Sequence, residues 1–198
     1  MKEKWNYRYS TEEYFFGKEP NEFFKEQIDK LTLGRALFIG DGEGRNSVYA
    51  AKLGWEVDCI DISEVGKEKA GNLAKENNVS INYIVDDALE YNFKTNSYDA
   101  VVVIYFHIDE ELREKIHQKY LSALKPNGTI ILLVYEKDHL SLNSNGPSSL
   151  ELLYSLDNIV EDFIDLEFDL LKKEKISRIK NGVPQEAIVI KFVGRKDN

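Results

Sequence analysis

The chain has 198 residues, with 35 acidic against 26 basic side chains and a net charge of −9, so a nucleic-acid backbone is not an expected partner. Hydrophobic residues make up 42% and charged residues 31%, which describes one folded domain with a full core rather than a disordered chain. A lone cysteine, Cys59, excludes an internal disulfide and a Cys-rich metal centre. No apolar run reaches membrane-spanning length and no leader is read at Met1, so a reducing cytoplasmic setting, a monomer and no membrane partner are expected.

The first 17 residues are aromatic. Trp5, Tyr7, Tyr9, Tyr14, Phe15 and Phe16 crowd together with Arg8. Such a segment either packs on the main domain as an arm or covers a flat ligand, since aromatic and Arg side chains stack well. Gly17 and Pro20 break the chain. Phe23, Phe24, Gln27, Ile28 and Leu31 then trace one face of a helix that Gly34 closes. Residues 1–31 therefore read as an aromatic arm and helix on a single domain spanning 1–198.

From Arg35 the pattern becomes strand, turn, helix, repeated. The strands are Arg35 to Ile39, Glu56 to Ile60, Ile81 to Val85, Ala100 to Tyr105 and Thr129 to Tyr135. The run at 100–105 is continuously apolar, as in a strand buried on both faces of a parallel sheet. Helices are expected from Ser47 to Leu53, from Ser63 to about Asn77, through Leu112, Ile116, Tyr120, Leu121 and Leu124, and around Leu150 to Phe163. Lys125-Pro126-Asn127-Gly128 reads as a turn and Asn145-Gly146-Pro147 as a loop. Two long runs, Asp165 to Ile179 and Gln185 to Gly194, flank Asn181-Gly182, a hairpin signal. The expectation is an α/β, Rossmann-like, doubly wound sheet, mostly parallel, with an antiparallel pair at one edge.

The chemistry concentrates at Gly40-Asp41-Gly42-Glu43-Gly44-Arg45-Asn46, where a strand meets a helix. Glycines there let bare backbone approach a ligand. A dinucleotide turn needs its third glycine one place later, and Arg45 stands where that fold wants a small residue. No Lys and Ser or Thr follow the glycines, so a P-loop is absent. Asp61 ends the second strand, where a carboxylate can accept from two ribose hydroxyls. Asp87 ends the third, placed to accept from an adenine amine. Acidic groups, glycine backbone and no Lys suit a nucleoside without phosphates, of which S-adenosylmethionine (SAM) is one.

The chain resembles the class I SAM-dependent methyltransferases, and within them the small bacterial group related to the tellurite-resistance methyltransferases. The likeness runs almost end to end. It is carried by Trp5-x-x-Arg8-Tyr9, Tyr14-x-x-Gly17-x-x-Pro20-Asn21, the 40–46 turn, Gly54-x-x-Val57, Asp61-x-Ser63-x-x-Gly66, Asp87, His107, Leu124-Lys125-Pro126-x-Gly128, and Gly146-Pro147 leading to Glu151-Leu152-Leu153-Tyr154. The resemblance implies seven strands with the last antiparallel. It implies that Gly40, Gly42 and Gly44 approach the methionine part of SAM, that Asp61 holds the ribose, and that Ile62 lies on the adenine face. Asp87 and the Ala88 backbone would read the adenine edge, and His107 would sit near the transferred methyl group as the candidate catalytic residue, a general base for a thiol, amine or hydroxyl acceptor that must lose a proton. Asp41, Arg45, Asn46 and Tyr105 complete the candidate cofactor set. Arg45 either pairs with an acid or reaches the SAM carboxylate.

One position departs from the family pattern. An acid usually stands two places before the first glycine, and here that place is Phe38, while Asp41 replaces a small residue. Asp41 is a candidate to restore negative charge nearby. Tyr105, Phe106 and Tyr135 either line an acceptor pocket or fill core, and His117 and His139 are expected in solvent. The function read is methyl transfer to a small acceptor such as a thiol, a chalcogen oxyanion or a metabolite. The alternatives are a non-catalytic SAM-binding module and a nicotinamide-dependent oxidoreductase.

Overall fold

Alternation along one short strand sets the architecture. In the computed structural model Arg35–Ile39 forms β1. Ala36 and Phe38 enter one buried cluster, and Leu37 and Ile39 enter another on the opposite face. A strand buried on both faces needs helices above and below it. The structure describes residues 1–142, 146–180 and 183–198, with backbone only for 178–180 and 183–184.

The remaining strands are β2 (Glu56–Asp61), β3 (Asn82–Val85), β4 (Tyr98–Ile104), β5 (Leu124–Tyr135), β6 (Leu166–Lys180) and β7 (Val183–Lys196). They form one seven-stranded sheet in the order β3-β2-β1-β4-β5-β7-β6. The first five are parallel neighbours, and β7 runs antiparallel between β5 and β6. The helices are α1 (Lys2–Tyr9), α2 (Glu22–Ile28), α3 (Arg45–Leu53), α4 (Glu64–Glu76), α5 (Glu110–Ala123) and α6 (Leu156–Asp162). Phe23, Phe24 and Ile28 of α2, Ala50 of α3 and Ala70 of α4 cover one face of the sheet. Ile116 and Tyr120 of α5 and Ile159 of α6 cover the other. The strand order reverses between β1 and β4, which opens a crevice at their carboxyl ends.

Local sequence explains most boundaries. Asn21 accepts from Phe24 N to start α2, and Ser63 accepts from Gly66 N to start α4. Gly54, at φ 104°, ends α3. Phe38 takes its place in this packing too. It is 1% exposed, and its ring meets Phe24 edge-on at 5.5 Å. The position that is acidic in the resembling family is here an aromatic contact that fixes α2 to the sheet.

The arm opens with a helix, α1. Three expectations need correction. The expected helix over 150–163 is split, with a 3-10 turn at Leu150–Leu152 and α6 starting afresh behind a capping box of Ser155 and Asn158. Lys125 to Gly128 does not precede β5 but lies within it as an irregularity, where the pairing jumps from Tyr98↔Leu124 to Ala100↔Thr129 and Asn127 has φ 62°. His117 and His139 are not in solvent, since each is 1% exposed. His117 shares Asp162 with Arg113 and stacks on Phe163 at 4.6 Å, while His139 stacks on Tyr135 at 4.3 Å.

The hairpin forms as expected, although its Asn181-Gly182 tip, like Asn145, lies outside the described residues. The β5–β7 pairing ends at Tyr135↔Val189, but β6 and β7 pair onward to Lys180↔Val183. The two strands therefore overrun the sheet at its crevice end.

Candidate cofactor and acceptor site

The turn after β1 is held from all sides. Gly40 N donates to Ile60 O at 2.8 Å, and Gly42 N donates to Asp61 Oδ2 at 2.9 Å. The Tyr83 hydroxyl donates to Gly42 O at 2.6 Å. Gly42 has φ 62°, and a Cβ there would lie 2.6 Å from the Tyr9 hydroxyl. At Gly44, φ 88°, a Cβ would meet Ala70 Cβ at 2.6 Å, so this glycine lets α3 and α4 touch. The turn needs glycine for both its backbone and its neighbours.

Two carboxylates flank Gly42. Asp61 is 9% exposed, and its second oxygen accepts from Ser63 N at 2.9 Å. Burial raises the Asp61 carboxyl, against the pull of the Ser63 and Gly42 N–H groups. Asp41 accepts from the Ser47 hydroxyl through Oδ2. Its Oδ1 is buried without a hydrogen-bond partner among the described residues. Burial first, with Ser47 opposing it and the Asp61 charge adding to it, pushes the Asp41 carboxyl up to about 6.

The side chains between and beyond the glycines turn to the arm. Glu43, 4% exposed, pairs with Lys69 at 2.7 Å and accepts from Phe15 N at 2.8 Å. Lys69 also donates to Thr11 O at 2.9 Å and Glu13 O at 2.7 Å. Arg45 donates to Phe16 O at 3.1 Å and lies over the Phe16 ring, and Asn46 accepts from Asn21 N at 2.9 Å. At the other end of the arm, Asn6 accepts from the Ser63 hydroxyl at 2.7 Å. The arm is thus strapped across the glycine turn and the start of α4. Glu43, Lys69, Asn6 and Tyr83 escaped the sequence reading. Only Glu43 carried a signal, as a charged residue inside the turn.

On the β3 side, Ile62 is half-buried next to Asp61, and Ala88 is buried. Asp87 is half-buried and accepts from Leu89 N at 2.9 Å, while Asp86 is exposed. On the β4 side, Tyr105 has φ 57°, a left-handed conformation that costs a non-glycine residue about 1–2 kcal/mol. Its N–H reaches Leu133 O at 2.7 Å, and its ring lies 4.8 Å from Tyr135. Phe106 follows, against Gly40. His107 Nδ1 faces Leu152 O at 2.8 Å, and Nε2 faces Tyr135 N at 3.5 Å. Nδ1 is then the protonated nitrogen, and burial pushes the imidazole down to about 4. The structure brings Gly40, Asp41, Gly42, Gly44, Asp61 and Ile62 together at one crevice, with Asp87–Ala88 and Tyr105–His107 on its flanks. It directs Arg45 and Asn46 toward the arm.

Residues 36–128 match the methyltransferase domain family. Phosphoethanolamine N-methyltransferase 2 of Caenorhabditis elegans is 32% identical over 122 residues, covering 59% of this chain. The chain spans 26% of that relative's length. Among solved structures, TehB from Haemophilus influenzae superposes with a TM-score of 0.76 at 20% identity, covering 89% of this chain and 62% of its own. A structure titled for conversion of a disulfide bond into a thioacetal group during echinomycin biosynthesis superposes with a TM-score of 0.79 at 17% identity. That superposition covers 100% of this chain and 92% of the other.

The site's own chemistry fits SAM. Asp41 leaves a buried oxygen open, neither Asp41 nor Asp61 has an ion-pair partner among the described residues, and the glycine turn presents backbone rather than Lys or Arg. Residues 36–128 thus match a methyltransferase domain, and the chain as a whole shares the fold of the solved structures named above, TehB among them.

Proposed function

We propose that the protein transfers the methyl group of SAM to a small-molecule acceptor: a thiol, a chalcogen oxyanion or a metabolite. The observation that carries this reading is the Gly40–Gly44 turn locked to Asp61 at the reversal of strand order, with an acidic floor and an aromatic arm over it. In this reading Asp61 and Asp87 bind the nucleoside, with Ile62 against the base and the Ala88 backbone at its edge. The three glycines give room to the methionine part. SAM supplies a methyl group already activated by the sulfonium charge. The protein's share is alignment, holding the acceptor about 3 to 3.5 Å from that carbon while water is kept out. The arm and the ring wall of Tyr105, Phe106 and Tyr135 are suited to that. Arg45 and Asn46 act on the cofactor through the arm they hold. The name of the C. elegans relative keeps amines among the acceptors to be tried.

His107 enters as a positioning residue. Its two nitrogens face backbone partners, and its ring stacks on Tyr135 at 5.3 Å, so it ties the β4–α5 loop to β5 and to Leu152. A neutral imidazole titrating near 4 is a poor proton acceptor at neutral pH. His107→Asn is expected to lower turnover without removing any ionisation from the rate profile between about pH 5.5 and 8. Loss of a titration step in the variant would make His107 the base instead.

The acceptor is tested by mass spectrometry of the purified chain with SAM and selenite, tellurite, thiols or metabolite amines. A methylated product from one of these classes is expected. Tight SAM binding with no product from any acceptor would favour the non-catalytic binding module. The acidic charge favours such small acceptors over nucleic acid, and a monomer in the cytoplasm is the setting proposed.

A further inference from the structure

Asp41 is costly where it sits. A turn residue in this position needs no charge to fold, yet the half-buried Asp41 keeps one buried oxygen, Oδ1, with no hydrogen-bond partner among the described residues. Burial outweighs what its surroundings offer, a Ser47 hydrogen bond and the nearby Arg45 charge. Ser47 on α3 donates a hydrogen bond to it, and the Arg45 guanidinium on the same helix bonds the Phe16 carbonyl. From β2 it is faced by Asp61 and the buried Cys59 thiol, from β3 by Tyr83, and from α1 by Tyr9. Burial pushes Cys59, Tyr83 and Tyr9 upward, so these three stay neutral around pH 7 and supply no positive charge. The crevice floor thus holds two carboxylates, Asp41 and Asp61, and the Arg45 charge offsets the burial of Asp41 only in part.

Such a floor distinguishes ligands by charge. SAM carries a sulfonium and an ammonium against one carboxylate, so it is a net cation. Its product, S-adenosylhomocysteine, has lost the sulfonium charge and is net neutral. Resting on the function proposed above, we propose that Asp41 makes this site select the cationic methyl donor over its neutral product. Binding of SAM draws the Asp41 proton off, and the product, once formed, loses the sulfonium's share of that attraction and keeps only the ammonium's.

The sign follows from the direction of the Asp41 shift. Free Asp41 holds a proton to about pH 6. A neighbouring cation favours the carboxylate, so SAM binding releases a proton below that pH and strengthens as pH rises through it. S-adenosylhomocysteine draws off no comparable proton.

Calorimetric titration of the full chain with each ligand, from about pH 5 to about pH 7.5 in buffers of different ionisation enthalpy, tests this directly. In the wild type, SAM affinity is expected to rise about tenfold across the range while that of S-adenosylhomocysteine changes less than about twofold. In Asp41→Asn the SAM rise and its proton release are expected to be largely lost; Asp41→Ser serves where the Asn variant does not fold. Parallel curves for the two ligands in the wild type, or an unchanged SAM curve in both variants, would overturn the proposal. A wild type that bound neither ligand would overturn the methyltransferase reading with it, so the two failures are told apart.

Discussion

Asp61→Ala is expected to cost the protein its cofactor, with SAM affinity falling by about a hundredfold or more. Asp61 stands at two jobs. Inside the chain, it accepts from Gly42 N and Ser63 N, each at 2.9 Å, which fixes the glycine turn relative to the start of α4. Toward the ligand, in the function proposed here, it accepts from ribose hydroxyls. Hydrogen bonds to a charged group are worth about 1.5–3 kcal/mol each, so the loss of two ribose bonds alone accounts for the expected fall. Removing the carboxylate also leaves the Gly42 N–H without its acceptor, at about 1–3 kcal/mol, while relieving a buried charge that burial already disfavours. These two effects oppose each other. Thermal stability without ligand should therefore move far less than affinity, and protection from melting by SAM should vanish. A variant that retained SAM-dependent protection from melting would remove Asp61 from the site.

The largest expected effect on stability lies away from the crevice. Asp162→Ala should destabilise the protein by about 3–5 kcal/mol, which for a chain of this size is a fall in Tm of roughly 6–20 °C. Asp162, 6% exposed, accepts from Arg113 Nε at 2.7 Å and from His117 Nδ1 at 2.8 Å through the same oxygen. Arg113 is itself 6% exposed and lies over the Tyr154 ring. Burial alone would raise the Asp162 carboxyl, but the His117 and Arg113 bonds more than reverse this and leave it below its ordinary range. Without Asp162, the guanidinium keeps, among the described residues, only Glu110, at 3.4 Å and half-exposed, as its acid. The destabilisation is therefore that of a buried, uncompensated cation. Equilibrium denaturation measures it directly. A loss below about 1 kcal/mol would show that Arg113 finds other solvation.

What could be read from sequence, and what could not, divides by range. β1, the Gly54 stop and the Ser63 cap follow from residues within a few positions of one another, and their boundaries were legible to within a residue or two. The doubly wound order followed from strands buried on both faces. The arm was legible as aromatic but not as a strap. Its attachments pair Lys69 with Thr11 and Glu13, Glu43 with Phe15, and Asn6 with Ser63, and residues so far apart leave no local pattern. His117 shows the same limit. Among charged neighbours on a helix it looks like a solvent residue, and only Asp162, brought from α6, makes its burial tolerable. Phe38 was visible as a departure, but its reason, the edge-on contact with Phe24, depends on where α2 packs.

The Gly40–Gly44 cradle is proposed to hold SAM. Calorimetric titration of the wild-type chain at neutral pH, with SAM and then with NADH, tests this most directly. One SAM per chain with a Kd of about 100 μM or tighter, and no saturable binding of NADH, is the predicted result. Saturable binding of NADH, or no binding of SAM, would contradict it.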